Sequence, residues 1–362
     1  MDTFAFVSHP SDTEDLNRKF KLARFLPGAV KEVMLRYAPP FRDSEITGIT
    51  STYNKAKGWI ITCPLTTEQM MGLPYDLVSG KIIRAGKKAE QLGARILGLG
   101  GYAKIAGDAG ITVARGLGIP VTTGSSYTVA VALESLRLAA LAMGHNLDRA
   151  EVTIIGATGS FGRVCAEILA REVRHLTLVA RNEIKLQKLA NKLLYDTGTV
   201  VRVSDKVKDS VSSADLVLTA TSSADILIEP EDFKPGAVVC DLSRPNNVAS
   251  TTVRLRDDIL VYSGGLVKVP GDIELNFNLG FPPQTANPCI AETMVLALER
   301  KYESFSLGRE LTVRQVEKIN RLAQKHGFRV SGYNCFGKAT SEEELTQIKN
   351  NAWNKLSRCS NN

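Results

Sequence analysis

"VTIIGATGSFGR", residues 152–163, is the stretch on which the fold turns. The apolar, β-favouring run from Val152 to Ile155 stops at Gly156. Gly159 and Gly162 follow at three-residue spacing, and "VCAEILAREV" continues at helical period. Strand, glycine turn and helix in that order form the unit in which a dinucleotide pyrophosphate meets a helix N-terminus. Such a unit needs a tight turn, a close backbone approach to the phosphates and close helix–strand packing, and each favours a residue without Cβ. The spacing is common by itself; its place between a strand and a helix is what makes it informative. It predicts a Rossmann-type unit with Gly156, Thr158, Gly159, Ser160, Phe161 and Gly162 around the pyrophosphate. The plainer alternative is a turn that only packs.

Working outward, "RHLTLVARN" reads as the second strand, followed by the helix "EIKLQKLANKLL". An NAD-preferring site commonly ends this strand in Asp or Glu to bond the ribose 2′-hydroxyl. Here the end is Arg181 and Asn182, with Lys185 one turn on and the first acidic residue at Glu183. That pattern predicts NADP(H), with Arg181 and Asn182 embracing the 2′-phosphate; the alternative is a surface arginine. "ADLVLTAT", "GAVVCDLS" and "DILVYSGG" read as three further strands. Ligands gather at the carboxyl ends of parallel strands, so Thr219 to Ser223 (Thr221 among them), Asp241 and Ser243 are candidates for the cofactor edge. Asp241 equally suits a turn cap.

The residues before Ala150 alternate strand and helix as well, which points to a second α/β layer. "FAFVSHP" reads as a strand, "SDTEDLNRKFKLARFL" as a helix with a capping box from Ser11 to Glu14, and "EITGITSTYNKAKGWIITCPL" as a hairpin. "ARILGLGGY" is a buried strand, and "GIPVTTGSSYTVAVALESLRLAALAMG" a strand, a loop and a long helix. The expected class is α/β: a substrate domain over residues 1–148, a Rossmann NADP-binding domain over 149–270 and a mainly helical part over 271–362. With 362 residues, 44% apolar and 23% charged, the composition is that of a globular protein. The first residues lack the basic and apolar regions of a signal peptide, and no apolar run reaches membrane-spanning length. The net charge of +7 gathers at Arg18, Lys19, Lys21 and Arg24 and at Lys81, Arg84, Lys87 and Lys88. These clusters are either solvated helix faces or a dock for an acidic partner; no nucleic-acid motif accompanies them.

Six cysteines, at positions 63, 165, 240, 289, 335 and 359, show no metal-ligand spacing, so a reduced cytoplasmic protein without a metal is expected. Five suit buried or terminal positions. Cys289 differs, because "TANPCIAETM" places it after Asn287, a good N-cap, and Pro288, a favoured first helical residue. A helix N-terminus favours negative charge, which suits a thiolate nucleophile; the alternative is a small apolar residue.

The chain resembles the cyanobacterial long-chain fatty acyl-ACP reductases from about Phe4 to about Gly332. The likeness is carried by "LGLGGY", "VTTGSSYT", "GATGSFG", "VARN", "YSGGLV", "CIAETMVLALE", "FSLGRE" and "KHGF" in that order. It departs at Tyr127, where the family motif has His, at "AKIAGDAG", and beyond Phe336, where the family has no counterpart. The resemblance implies NADPH-dependent reduction of an acyl-ACP or acyl-CoA thioester to a fatty aldehyde, with Cys289 acylated and the acidic carrier protein as partner. The tetrahedral oxyanion would then need donors; the Cys289 helix end, Tyr102, Ser126 and Tyr127 are the candidates. The rival readings are a shikimate-type ketone reductase using Lys104 and Asp108, a glutamyl-tRNA-reductase-like enzyme using Cys63, and an NADP-binding protein without catalysis.

Overall fold

The computed structural model describes residues 1–15, 25–221, 228–243, 246–276, 282–335 and 338–359. The expected helix with basic residues Arg18, Lys19, Lys21 and Arg24 falls largely outside them, as does Ser223. In the first half the elements are β1 (Asp2–Ser8), α1 (Gly28–Tyr37), β2 (Phe41–Thr50), β3 (Lys55–Thr62), α2 (Thr67–Gly72), α3 (Tyr75–Gln91), β4 (Leu97–Leu99), α4 (Ile111–Arg115), β5 (Val121–Thr122) and α5 (Ser125–Met143). Then come β6 (Glu151–Ile155), α6 (Ser160–Leu169), β7 (His175–Val179), α7 (Glu183–Thr197), β8 (Arg202–Ser204), α8 (Val207–Ser212), β9 (Leu216–Thr219), β10 (Val238–Asp241), α9 (Ser250–Leu255) and β11 (Leu260–Tyr262). The chain ends with β12 (Val267–Lys268), β13 (Gly271–Glu274), β14 (Thr285–Ala286), α10 (Pro288–Leu298), α11 (Val313–Lys325), β15 (Arg329–Val330), β16 (Tyr333–Cys335), β17 (Lys338–Thr340) and α12 (Glu342–Cys359).

Two six-stranded sheets organise these elements, in the orders β13-β2-β3-β1-β4-β5 and β11-β10-β9-β6-β7-β8. In the first, β3, β1, β4 and β5 are parallel, and β2 joins β3 as the antiparallel hairpin expected from the sequence. The inner strands are near-continuous apolar runs because helices cover them: Phe4 to Val7 and Ile60 to Ile61 are all buried. Helix α3 supplies one cover with Val78, Ile82, Ala85 and Ala89, a stripe at helical period. The second sheet is parallel throughout, and its order changes direction at β6, between β7 and β9. That reversal is the switch point where open α/β sheets bind nucleotides.

Helix α5 joins the sheets. By length and composition it is long and apolar enough to cross a membrane, yet 67% of its apolar window is buried within the protein. It packs against β10, α6, α10, α11 and α12. One apolar cluster therefore runs from Phe4 and Phe6 through α5 and α10 to Val152, Ile154 and Leu218. The residues beyond 270 do not form a body of their own. Strand β13 returns to pair antiparallel with β2, and α10 packs on β1, β3 and β4. Helix α12 is tied to the second half by Lys355, which reaches Asp257 and Asp258 at 3.0 Å each.

Candidate active site

The glycine turn is built as the sequence predicts. Gly156 has φ +79°, a left-handed conformation that favours glycine, and a Cβ there would lie 2.7 Å from the Ala220 carbonyl oxygen. Helix α6 starts after Gly159 without a side-chain cap. The amides of Ser160, Phe161 and Gly162 bond to no described residue, and the buried Ser160 Oγ is also without a partner. Unclaimed donors at a glycine-lined helix N-terminus make an anion site, so these residues fit the pyrophosphate of a dinucleotide. Thr158 lies beside them, half-buried.

Past the end of β7, Arg181 is exposed and forms no ion pair or hydrogen bond with a described residue, which leaves its guanidinium free for a phosphate. Asn182 has a different engagement from the expected one. Its side-chain oxygen caps α7 by accepting from the Lys185 amide at 2.9 Å, so only its NH2 faces outward. Thr219 is fully buried and its hydroxyl donates to Asp241 at 2.5 Å. Asp241 also accepts from the amides of Ser243, Asn247 and Val248. Asp241 and Thr219 thus hold the strand ends together, the turn-capping alternative. Thr221, whose amide donates to Ser243 Oγ at 3.1 Å, is the half-buried residue at the rim.

Cys289 is the one residue of α10 that is not buried. Cys63, Cys165 and Cys240 are all buried, and burial pushes the Cys63 thiol up to about 12. A buried thiol held protonated is a poor nucleophile, which favours the half-exposed Cys289 over Cys63. Asn287 does not cap α10 with its side chain, and Pro288 has no N–H. The Cys289 and Ile290 amides therefore have no partner among the described residues. Cys289 sits on Gly124, whose left-handed φ of +71° turns the chain from β5 into α5; a Cβ on Gly124 would come 2.3 Å from Cys289 Cα. Two helix N-termini, those of α5 and α10, therefore meet at Cys289. Their dipoles both favour a negative charge in that place.

The other expected donors are mostly spent. The Ser126 amide donates to Ser306 Oγ at 3.2 Å and the Tyr127 amide to Glu292 Oε2 at 2.8 Å, while the Tyr127 phenol is buried and its ionisation opposed by that burial. The Tyr102 amide donates to His9 Nε2 at 2.6 Å, and its phenol has no described partner. What remains is the Tyr102 phenol, the Ser125 amide on α5 and the Cys289 and Ile290 amides on α10. Asp108 does not pair with Lys104: it accepts from Tyr75 Oη at 2.8 Å and from the Thr112 amide at 2.9 Å, where it holds the start of α4. Sequence reading overlooked Glu292, which is fully buried three residues after Cys289. Burial raises its carboxyl above the usual range, opposed by bonds from Thr122, the Tyr127 amide and Ser306 and by the charge of Lys104. The available signal was a single acidic residue in the apolar run "CIAETMVLAL".

The family match follows the two-sheet division, whereas the relatives align across both sheets. A family model described as shikimate/quinate 5-dehydrogenase matches residues 137–263, which take in the end of α5 and the second sheet but neither Cys289 nor the first sheet. Aminotransferase PigE of a Serratia species is 28% identical over 360 residues, 96% of this chain; the chain spans 42% of that protein's length. The long-chain acyl-[acyl-carrier-protein] reductase of Synechococcus elongatus is 28% identical over 306 residues, covering 80% of this chain and 87% of that one. Among solved structures, L-tryptophan dehydrogenase from Nostoc punctiforme aligns over 98% of this chain and 89% of its own, at 14% identity and a TM-score of 0.42. The second sheet and its glycine turn have the Rossmann arrangement, and over this part the chain is similar to NAD(P)(H)-dependent dehydrogenases and reductases.

Proposed function

We propose that this protein reduces a long-chain acyl thioester, carried by acyl carrier protein or coenzyme A, to the aldehyde with NADPH. The observation that carries the reading is Cys289: the unburied position of an otherwise buried helix, at the meeting of two helix N-termini with unclaimed amides. Two likenesses support it. One relative is a long-chain acyl-ACP reductase. The other is an aminotransferase more than twice as long, and an aldehyde is a carbonyl compound of the class that transamination consumes.

In this reading Cys289 Sγ attacks the thioester carbonyl; the new S–C bond forms as the bond to the carrier sulfur breaks, and the carrier leaves as a thiol. The Ser125, Cys289 and Ile290 amides receive the charge that develops on the carbonyl oxygen. The cofactor, when bound at Gly156 to Gly162, supplies the hydride that the acyl carbon of the Cys289 thioester must gain. Collapse of the resulting hemithioacetal breaks the S–C bond, frees the aldehyde and restores the thiolate. The acyl-enzyme must be kept from water, which would otherwise hydrolyse it.

With long-chain acyl-CoA and no NADPH, the peptide containing Cys289 is expected to gain the mass of the acyl group; an unmodified peptide under conditions that otherwise support turnover removes the covalent step. Arg181 gives a second expectation. Arg181→Ala should weaken NADPH binding about ten- to a hundredfold, the worth of a charge-assisted bond to phosphate, and leave NADH binding nearly unchanged. Equal loss for both coenzymes in titrations would contradict the choice of NADPH. A ketone or alcohol oxidoreductase is the second reading, favoured by the family match over residues 137–263. It predicts coenzyme-dependent turnover of hydroxy acids with no mass on Cys289.

A further inference from the structure

Glu292 is buried to 0% exposure on α10, one turn after Cys289, yet its carboxyl group reaches away from its own helix. Oε2 accepts from the Tyr127 amide on α5 at 2.8 Å, and Oε1 meets the Thr122 hydroxyl at the end of β5. Ser306 completes the arrangement. Its hydroxyl bonds to the Ser126 amide and hydroxyl, at 3.2 and 2.7 Å, and its carbonyl accepts from Thr123 Oγ1 at 2.5 Å. Ser306 has φ +53°, a conformation that a residue with a side chain seldom adopts and that surrounding bonds must hold in place. So the second and third amides of α5 are tied to side chains from α10 and the loop after it, and the first, that of Ser125, is left open beside Cys289. A buried carboxyl whose partners all come from outside its own helix costs a great deal to keep unless it fixes the segments that supply them.

We propose that Glu292 is a positioning residue: its carboxyl group locks the N-terminus of α5 to that of α10, so that the Ser125, Cys289 and Ile290 amides converge on the reacting sulfur. This rests on the assignment of Cys289 as nucleophile. The groups facing Glu292 are the Thr122 and Ser306 hydroxyls, the Tyr127 amide and, electrostatically, Lys104 and the buried Tyr127 phenol. An acyl or alkyl group arriving at Sγ would draw on the same helix ends that Glu292 holds.

The test compares Glu292→Gln with Glu292→Leu in the full chain, reading iodoacetamide alkylation of Cys289 against pH alongside turnover with acyl-CoA and NADPH. Gln keeps an acceptor for the Tyr127 amide and a donor for Thr122; Leu keeps the volume and loses both. Glu292→Leu is expected to alkylate about tenfold more slowly at neutral pH, with the rate-against-pH profile moved upward and kcat down about a hundredfold, the scale of losing an oxyanion donor. NADPH affinity should stay as in the native protein, and Glu292→Gln should keep alkylation and kcat within about threefold. Where Glu292→Leu fails to fold, Thr122→Val loosens the same lock from the β5 side and should shift alkylation in the same direction by less. A folded Glu292→Leu protein that alkylates as fast as the native one, or faster, overturns the proposal, because the carboxylate would then merely oppose the thiolate. Alkylation needs no acyl substrate, so a shifted profile with no acyl adduct on Cys289 would sink the thioester reading and leave the positioning role standing.

Discussion

Cys289→Ser should stop aldehyde formation, with a loss of about a thousandfold or more in kcat, while NADPH binds as before. Removing the nucleophile of a covalent mechanism costs on this scale, because residues acting as a unit fail together. Serine keeps the shape of cysteine but is a much weaker nucleophile without a base, and among the described residues no histidine is hydrogen-bonded to Cys289. The substitution is structurally mild, since Cys289 is partly exposed at the start of α10. Stability should change by about 0.5 kcal/mol or less. The checks are NADPH oxidation with acyl-CoA, aldehyde detection, and a coenzyme titration to show that the nucleotide site is intact. Full turnover by Cys289→Ser would move the assignment to the ketone reductase reading, in which this sulfur has no part.

How much of this site could be read without coordinates follows from how local each feature is. The glycine turn is local: strand, turn and helix lie within a dozen consecutive residues, and GxxGxxG after "VTII" carries its own context. The helix start at Cys289 is equally local, since Asn287 and Pro288 announce it. What surrounds Cys289 is not local. Thr122 and Gly124 belong to the turn from β5 into α5 and Ser306 to the loop after α10, and no periodicity in either segment points to the other.

The expected donors show the same limit. Tyr127 has the right chemistry and position in sequence, but α5 enters the core directly after Gly124, so its ring is buried and its amide is bound by Glu292. Thr219 and Asp241 stand where the strand-end rule puts cofactor residues, yet Asp241 gathers four nearby donors, Thr219 among them. A short polar pair at adjacent strand ends can serve a ligand or itself, and only geometry separates the two. Strand β13 is the largest difference in architecture. "GDIE" has no alternating apolar face, so nothing in it announces an edge strand. Its pairing with β2 nevertheless draws residues beyond 270 into the first sheet and helps place α10 over β1 and β4.

The glycine turn supports a prediction that separates folding from coenzyme binding. A Cβ on Gly162 would lie 2.3 Å from the Gly156 carbonyl oxygen, 2.8 Å from its carbon and 2.9 Å from Ala157 Cα. All three are backbone atoms, so no side chain can swing aside, and α6 must move off the end of β6. Gly162→Ala should therefore cost about 1–3 kcal/mol of stability through overpacking. It should also weaken NADPH binding about a hundredfold, the scale expected when binding groups are misplaced by about an ångström. Gly159 is different. Its φ is −75°, which any residue adopts, and a Cβ there would find the Gly156 carbonyl oxygen at 3.2 Å and the Ala220 one at 3.5 Å. Alanine at 159 should thus cost less stability than alanine at 162, while its methyl group would crowd the turn that the pyrophosphate is proposed to approach. Coenzyme titration and thermal melting of the two variants resolve the matter: Gly162→Ala loses stability and affinity together, Gly159→Ala mainly affinity. Native-like NADPH binding by Gly159→Ala would show that the phosphates do not cross this turn, and the unclaimed amides of Ser160, Phe161 and Gly162 would then need another anion to explain them.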